Sequence, residues 1–271
     1  MAFVNKVPTP LKLTAIDLEN TGLNPFADRI VEIGLVHFDL SGEQSRWNVL
    51  INPERDIPPN VQDIHGISED DVKDCPPIEN VFSPFLDQVR GRVLVVHNVL
   101  ADLPFLEMES YRLGTKLDSF WTIDTLKLSR KVYPEAPNHQ LSSLCQFLNL
   151  EISPHRALED AWGAMQIFLH AIRDMKLSPD EIVPELKRNK ILTKSGYITK
   201  VQGRTIHDLW IKQGARYHLL YSNSKGEDTD RWIRVIQIYL KGRQVCIEAF
   251  CETKQEIRMF FVKNIKEITS E

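Results

Sequence analysis

Leu11-Lys-Leu-Thr-Ala-Ile-Asp-Leu-Glu-Asn-Thr-Gly-Leu23 is the stretch on which the reading of this chain turns. An apolar, β-prone run ends in two acids at i and i+2, Asp17 and Glu19, and then in a turn at Gly22. Side chains alternate across a strand, so both carboxylates leave the same face. Like charges held on one face repel, and a divalent cation is the usual means of making such a pair tolerable. Acids at a strand end are ordinarily solvated, so this pair gains meaning only if further acids lie where a fold brings them to the same spot.

After a polar turn over Asn24–Arg29, Ile30–Leu40 and Trp47–Asn52 read as two more strands, separated by Ser41-Gly42. Such short connections imply an antiparallel meander. Pro53, Pro58 and Pro59 break the chain, and a helical stretch begins in Ile64-His-Gly-Ile-Ser68, with Glu69 and Asp70 in its first turn. Apolar residues at Ile78, Val81, Phe82, Phe85, Leu86 and Val89 recur with a helical period. Val93-Leu-Val-Val96 is wholly apolar, which suits a strand covered on both faces. Helices are expected over Leu103–Leu113, over Leu141–Leu148 and from His155 to about Ile172, with a strand at Trp121–Asp124. Strands followed by alternating strands and helices give an α/β domain with a mixed sheet over residues 1–175.

Residues 176–204 read as a helical and basic linker, with Pro179, Pro184, Lys187, Arg188, Lys190, Lys194, Lys200 and Arg204. Beyond a helix expected over Thr205–Gln213 come Tyr217–Tyr221, Trp232–Tyr239, Gln244–Phe250 and Glu256–Val262. These four β-rich segments, with turn residues in Ser224-Lys-Gly226 and Lys241-Gly242, predict a small barrel or curled sheet over 205–271.

Composition excludes little. Apolar and charged fractions of 42% and 26% are those of an ordinary globular protein. Cys75, Cys145, Cys246 and Cys251 form no C-x-x-C and have no histidine partner at zinc-finger spacing, so reduced thiols are expected. Met1-Ala-Phe-Val-Asn-Lys6 lacks a long apolar run, so neither a signal peptide nor a membrane span is expected, and the location is read as cytoplasmic. The net charge of −4 hides an asymmetry: residues 176–271 carry 18 Lys+Arg against 12 Asp+Glu. An acidic first domain followed by a basic second one fits a carboxylate-rich site beside a surface that attracts polyanions.

Two further acid sites answer the opening pair. Asp102 lies just beyond Val93–Val96, and strand ends in α/β folds are where sites form. The other is His155-Arg-Ala-Leu-Glu-Asp160. Five residues of helix turn through about 500°, roughly 140° net, so His155 and Asp160 would diverge if both were helical. His155 is therefore placed at or before the helix start, after Ser153-Pro154, with Asp160 pointing into the site and Glu159 solvated. Asp17, Glu19, Asp102 and Asp160 then supply an all-oxygen set, which selects Mg²⁺ or Mn²⁺ over zinc. Two such cations about 3.5–4 Å apart serve in-line displacement at phosphorus. An imidazole, with its ordinary pKa near 6.5, is suited to take the proton of the attacking water.

These segments resemble the DEDDh-type 3′-5′ exonucleases of the DnaQ-like, proofreading-exonuclease superfamily, which has a ribonuclease-H-like fold. The first motif, D-x-E-x-T-G, matches at Asp17, Glu19, Thr21 and Gly22; the second, H-N-x-x-x-D, at His97, Asn98 and Asp102; the third, H-x-x-x-x-D, at His155 and Asp160. Ile64–Ser68, Asp124–Arg130 and Leu141–Cys145 stand where the family has similar segments, and the resemblance covers residues 10–174. It implies that Asp17, Glu19, Asp102 and Asp160 bind two divalent cations, with Asp17 as the bridge and His155 as the general base. It further implies that Thr21, Gly22 and Leu23, with His65 and Asn98, contact the 3′-terminal nucleotide, Leu23 packing on the base. Asn20 stands where many members have Thr, and Ala101 replaces a common Phe, which leaves a smaller side chain near the nucleotide.

The second domain resembles a WYL domain, a small Sm-like β-barrel of bacterial regulators, through Leu220–Gly226, Ala249-Phe-Cys251 and Glu256–Phe260. Its name-giving triplet is replaced by Val245-Cys246-Ile247, and Tyr221, Arg231, Arg234 and Arg258 are its candidates for contact with a small anionic ligand or nucleic acid. Together the resemblances imply a metal-dependent 3′-5′ exonuclease that releases nucleoside 5′-monophosphates from DNA. The alternatives are an exoribonuclease and a WYL-type regulator with a vestigial nuclease domain. The presence of all five catalytic-type residues argues against the last. The residues do not separate DNA from RNA, nor single from double strands, and they carry no sign of oligomeric state or polymerase partner.

Overall fold

A computed structural model describes residues 7–8, 10–115, 117, 119–153, 155–194, 211–223, 226–241 and 244–270. The first six residues, Pro154, Lys200, Arg204, most of the helix expected over Thr205–Gln213, and the turn residues Ser224, Lys225 and Gly242 fall outside them. The chain divides into two compact units, residues 1–23 with 29–196, and residues 24–28 with 197–271.

The first unit is built on a six-stranded sheet of order β3-β2-β1-β4-β5-β6, formed by β1 (Leu13–Asn20), β2 (Ile30–Asp39), β3 (Gly42–Leu50), β4 (Val93–Val96), β5 (Trp121–Asp124) and β6 (Leu192–Lys194). The first three strands form the expected antiparallel meander. Beyond it, β4 joins β1 in parallel and β5 joins β4 in parallel, while β6 returns antiparallel, so the sheet is mixed. Every residue of β4 is buried, as its unbroken apolar run requires.

Helices α1 (Pro59–His65), α2 (Glu69–Val72), α3 (Ile78–Val89), α4 (Val99–Arg112), α5 (Thr125–Val132), α6 (Leu141–Phe147), α7 (Ala157–Asp174) and α8 (Pro179–Arg188) complete this unit. Ala161, Met165, Phe168 and Ala171 of α7 recur on one helical stripe and share a core cluster with Leu13, Ala15, Val36, Phe38, Val93, Val95 and Ile123 of the sheet.

Several boundaries differ from expectation for local reasons. Pro58 and Pro59 start α1 rather than break the chain, since proline is tolerated at a helix N-terminus. Gly66, at φ 69°, ends that helix, and Ser68 begins α2 with a reciprocal capping box to Asp71. Helix α4 starts at Val99, four residues before the expected start, because Asn98 takes the left-handed conformation (φ 69°) and turns the chain straight out of β4. Asp124 caps α5 through Lys127 N, a helix that periodicity had not marked. Residues 176–194 hold the expected helix, α8, and also β6, which was not expected; Ile182, Leu186, Ile191 and Leu192 enter the first unit's core.

The second unit is an antiparallel sheet of order β10-β9-β8-β7-β11, from β7 (Arg216–Ser222), β8 (Asp228–Lys241), β9 (Gln244–Cys251), β10 (Glu256–Phe261) and β11 (Ile265–Ser270). Four of these strands were expected. The fifth, Ile265-Lys-Glu-Ile-Thr-Ser270, lacks apolar alternation and follows a 3-10 turn. No ladder joins β10 to β11 among the described residues. Tyr221 is a packing residue here: its ring meets Phe260 edge-on at 5.2 Å, and its hydroxyl accepts from Phe261 N at 3.3 Å. Arg231 Nε donates to Thr229 Oγ1, Arg258 pairs with Glu256, and Arg234 is exposed. All four cysteines are free thiols.

Helix α7 lies close against β2. A Cβ on Gly34 would stand 2.2 Å from the Ala157 carbonyl carbon and 2.3 Å from Leu158 N, both backbone atoms that cannot step aside. Gly34→Ala is expected to destabilise the protein by about 3 kcal/mol, at the upper end for overpacking, read by urea unfolding. A loss below about 0.5 kcal/mol would contradict this packing.

Candidate active site

Three elements each bring acid to one place. On β1, strand alternation sends Asp17 and Glu19 to the same face, and their cross-strand partners on β2 are Gly34 and Glu32. The early start of α4 puts Asp102 in that helix's first turn, where its carboxylate accepts from Leu18 N. Asp160 stands in the first turn of α7. Carboxylate oxygens of Asp17, Glu19 and Asp160 lie within 4.8 Å of one another, and Asp102 is close enough for its charge to act on Asp17. The four acids predicted from the motifs therefore converge.

This convergence has an electrostatic cost. Burial, then repulsion from Asp102, Asp160, Glu19 and Glu32, holds the Asp17 carboxyl well above the usual carboxylate range. Glu19 is pushed up to about 8 by burial and by Asp160 and Glu32, with Arg156 pulling the other way. Burial and then Glu19 raise Asp102, against the Leu18 hydrogen bond. Asp160 rises to about 6 through burial, countered in part by the His155 backbone N–H and by the His155 charge. One oxygen of Asp160 accepts from His155 N at 3.1 Å; the other, Oδ1, is buried with no partner. An all-oxygen donor set with an orphaned buried acceptor fits a hard divalent cation of the Mg²⁺ or Mn²⁺ type.

His155 precedes α7, with φ 67° and an exposed side chain, in agreement with its expected place outside the helix. Glu32, which no motif singled out, lies on the far side of that turn. Wholly buried, it accepts from Arg156 Nη2 (2.8 Å) and Nε (3.2 Å), Asn48 Nδ2 (2.9 Å) and Ala157 N (3.0 Å). Burial alone would raise Glu32, but these bonds and the Arg156 charge hold it below the usual carboxylate range. The available signal was a lone acid within the apolar run Ile30-Val-Glu-Ile-Gly-Leu-Val36, since a charge buried in a strand needs partners.

Of the residues assigned to the nucleotide, Thr21 is buried and closes the turn after β1: its N donates to Arg29 O at 2.8 Å and its Oγ1 accepts from Arg29 N at 3.1 Å. Gly22 follows in the same turn, and the Leu23 side chain is 99% exposed. His65 is buried, and its Nδ1 accepts from Ile67 N at 3.0 Å, which leaves the ring proton on Nε2. Burial lowers its pKa, so the ring is neutral. Asn98 is exposed and serves as the left-handed cap of α4. His97 is a buttress: its ring nitrogens bond Thr125 Oγ1 (2.9 Å) and the His139 carbonyl (3.0 Å). Buried Glu109 of α4 binds Arg29 Nε and Arg112 Nη1, both at 2.8 Å, and so ties the Asp102 helix to the chain beyond the turn.

The family model described as Exonuclease matches residues 14–168. Over 158 residues the chain is 37% identical to DNA polymerase III subunit epsilon of Treponema pallidum (strain Nichols), covering 57% of this chain and 74% of that one. It is 33% identical over 166 residues to a PolC-type DNA polymerase III of Caldanaerobacter subterraneus subsp. tengcongensis, covering 61% of this chain and 12% of that much longer protein. Among solved structures, Exonuclease X in complex with 5′ overhanging duplex DNA matches with TM-score 0.51 and 25% identity over 64% of this chain and 98% of that chain. Exonuclease I matches in fold over 96% of this chain and 64% of that chain, with TM-score 0.58 and 12% identity.

The raised carboxylates set the sign of a stability test. In the unfolded chain Glu19 ionises near 4.5, and in the folded protein near 8, so between these values the native state binds more protons. Its contribution is complete below the lower value and is lost as pH rises through the upper one. Without metal, Glu19→Gln is expected to gain in Tm relative to wild type as pH rises from about 5 to about 8, and Mn²⁺ to erase the gain. A gap that is constant or shrinks with pH would contradict the reading.

Proposed function

Since this chain belongs to the exonuclease family, we propose that it is a 3′-5′ exonuclease of DEDDh type that hydrolyses the terminal phosphodiester of DNA and releases nucleoside 5′-monophosphates. The observation that carries this reading is the convergence of Asp17, Glu19 and Asp160, with Asp102 beside them, at the end of β1. These four acids would hold two divalent cations. Such cations supply Lewis acidity at a phosphoryl oxygen and neutralise charge that builds up in the displacement.

The remaining work falls to the chain itself. His155, exposed at the rim beside Asp160, takes the proton of the attacking water. The water oxygen bonds to phosphorus as the bond to the preceding nucleotide's O3′ breaks, and that oxygen is then protonated from solvent. Exposed Leu23 packs against the terminal base, and the Thr21–Leu23 backbone holds the terminal nucleotide. His65 Nε2, which carries the ring proton, offers a donor beside it. DNA is favoured over RNA as substrate by the DNA polymerase III relatives and by the DNA-bound Exonuclease X. We assign the second unit an accessory role of the WYL-like type, with Arg234 and Arg258 the exposed ones among its four anionic-contact candidates. No helix among the described residues is long and apolar enough to cross a membrane, and we take the protein to act in the cytoplasm.

The test is digestion of matched 3′- and 5′-labelled DNA and RNA oligonucleotides with Mg²⁺, with Mn²⁺ and with EDTA. Mononucleotides are expected from the 3′ end of DNA, only with metal. His155→Ala is expected to lower kcat by roughly 10²–10⁴-fold, the range for a lost general base, and Asp17→Ala to abolish release. Wild-type turnover by Asp17→Ala would refute the assignment, and release from RNA alone would transfer it to the exoribonuclease reading.

A further inference from the structure

His155 occupies a backbone conformation, φ 67°, that a side-chain-bearing residue adopts only where its surroundings hold it. Two sets of contacts bracket it. On one side its own N–H donates to Asp160 Oδ2 at 3.1 Å. On the other, the next two residues are both bonded to Glu32: Arg156 through Nη2 (2.8 Å) and Nε (3.2 Å), and Ala157 through its backbone N (3.0 Å).

Glu32 has nothing left to offer a metal. Its Oε1 accepts from Arg156 and from Asn48 Nδ2 at 2.9 Å, its Oε2 from Arg156 and Ala157, and the side chain is 0% exposed. Each oxygen thus accepts two bonds, which is the capacity of a carboxylate oxygen. The other end of the clamp is rigid as well. Glu32 lies on a strand paired on both sides, opposite Glu19 on β1 and Leu50 on β3. Two residues along, Gly34 lets the α7 backbone come down onto β2. A planar, bidentate guanidinium fork is a geometric constraint that a single ammonium does not reproduce.

We propose that Glu32 is a positioning residue: through Arg156 and Ala157 it fixes the backbone at His155, so that the imidazole is presented at the carboxylate cluster, and it does not itself hold metal. This rests on the nuclease reading, in which His155 takes a proton from water. A purely structural Glu32 would only seat α7 on the sheet, and its loss would lower stability and metal binding together. A positioning Glu32 acts through one side chain, so its effect vanishes when that side chain is gone.

The experiment uses the full chain as wild type, Glu32→Gln, Arg156→Lys, His155→Ala and the double variants of His155→Ala with each of the first two. Three quantities are read: steady-state release of mononucleotides from a 3′-labelled DNA oligonucleotide, Mn²⁺ affinity by calorimetry, and Tm. Glu32→Gln and Arg156→Lys are each expected to lower kcat by roughly 10–100-fold, as a misplacement of about 1 Å does. KM and Mn²⁺ affinity should stay within about threefold of wild type. In the His155→Ala background the same changes should cost less than about twofold, the signature of groups acting as one unit.

The proposal is overturned if either change leaves kcat intact, if Mn²⁺ affinity falls in step with kcat, or if the losses add to that of His155→Ala. Should Glu32→Gln not fold, Arg156→Lys carries the test, because the Arg156 side chain is 47% exposed and the change leaves the core untouched. A wild type that releases no mononucleotide refutes the nuclease reading, and the positioning role with it; an active wild type with an unaffected Glu32→Gln refutes the positioning role alone.

Discussion

Repulsion among carboxylates crowded into one partly buried site is the constraint that shapes the first unit. Asp17, Glu19, Asp102 and Asp160 come from three separate elements, and each has its pKa raised by burial first and then by neighbouring carboxylates. Left to itself the chain would separate them or keep them protonated. Their proximity persists because each is carried by an element whose position is set elsewhere. β1 lies between β2 and β4 in the sheet and cannot move without breaking two ladders. Asn98 turns α4 directly out of β4, and Leu18 N bonds the resulting Asp102. α7 is seated by a core stripe ending in Phe168 and Ala171, by the absence of a Cβ at Gly34, and by the Glu32 clamp. The binding energy of a divalent cation is the natural counterweight to such a site.

The division between carboxylates that repel and one that does not is instructive. Among the described residues Glu32 is as buried as any acid and sits across from Glu19, yet it stays ionised. The difference is hydrogen bonding: Glu32 has four donors, whereas Asp160 has one and leaves Oδ1 bare. Unmet acceptor capacity separates groups available to a ligand from groups already committed to structure. His97 and Thr21 belong with Glu32 in this respect, since their bonds to Thr125, His139 and Arg29 hold the framework of the site together.

Much of this was legible in the amino-acid order, and the exceptions have physical causes. The i, i+2 acids of β1, the buried run Val93–Val96 and the place of His155 outside its helix all follow from periodicity alone, because side-chain direction there depends only on local geometry. The start of α4 was misplaced because it depends on Asn98 tolerating positive φ, which no apolar pattern encodes. A helix was expected in the segment that holds α8, but β6 and the core packing of both were missed, because the basic residues around them masked four apolar positions that only the tertiary fold shows to be core. β11 escaped notice since Ile265 and Ile268 stand three apart, off the strand period, and the strand is defined by its pairing with β7. Glu32 was hidden inside an otherwise apolar strand, and only its partners, sixteen to 125 positions away, give it a role.

The claim beneath all of this is that four acids distant in the chain form one site for a pair of hard cations. Anomalous diffraction from crystals grown with Mn²⁺ tests it most directly. The account predicts two manganese peaks about 3.5–4 Å apart, bounded by the carboxylates of Asp17, Glu19, Asp102 and Asp160, with Glu32 touching neither. Peaks at other acids, or no peak at this cluster when Mn²⁺ is saturating, would contradict it.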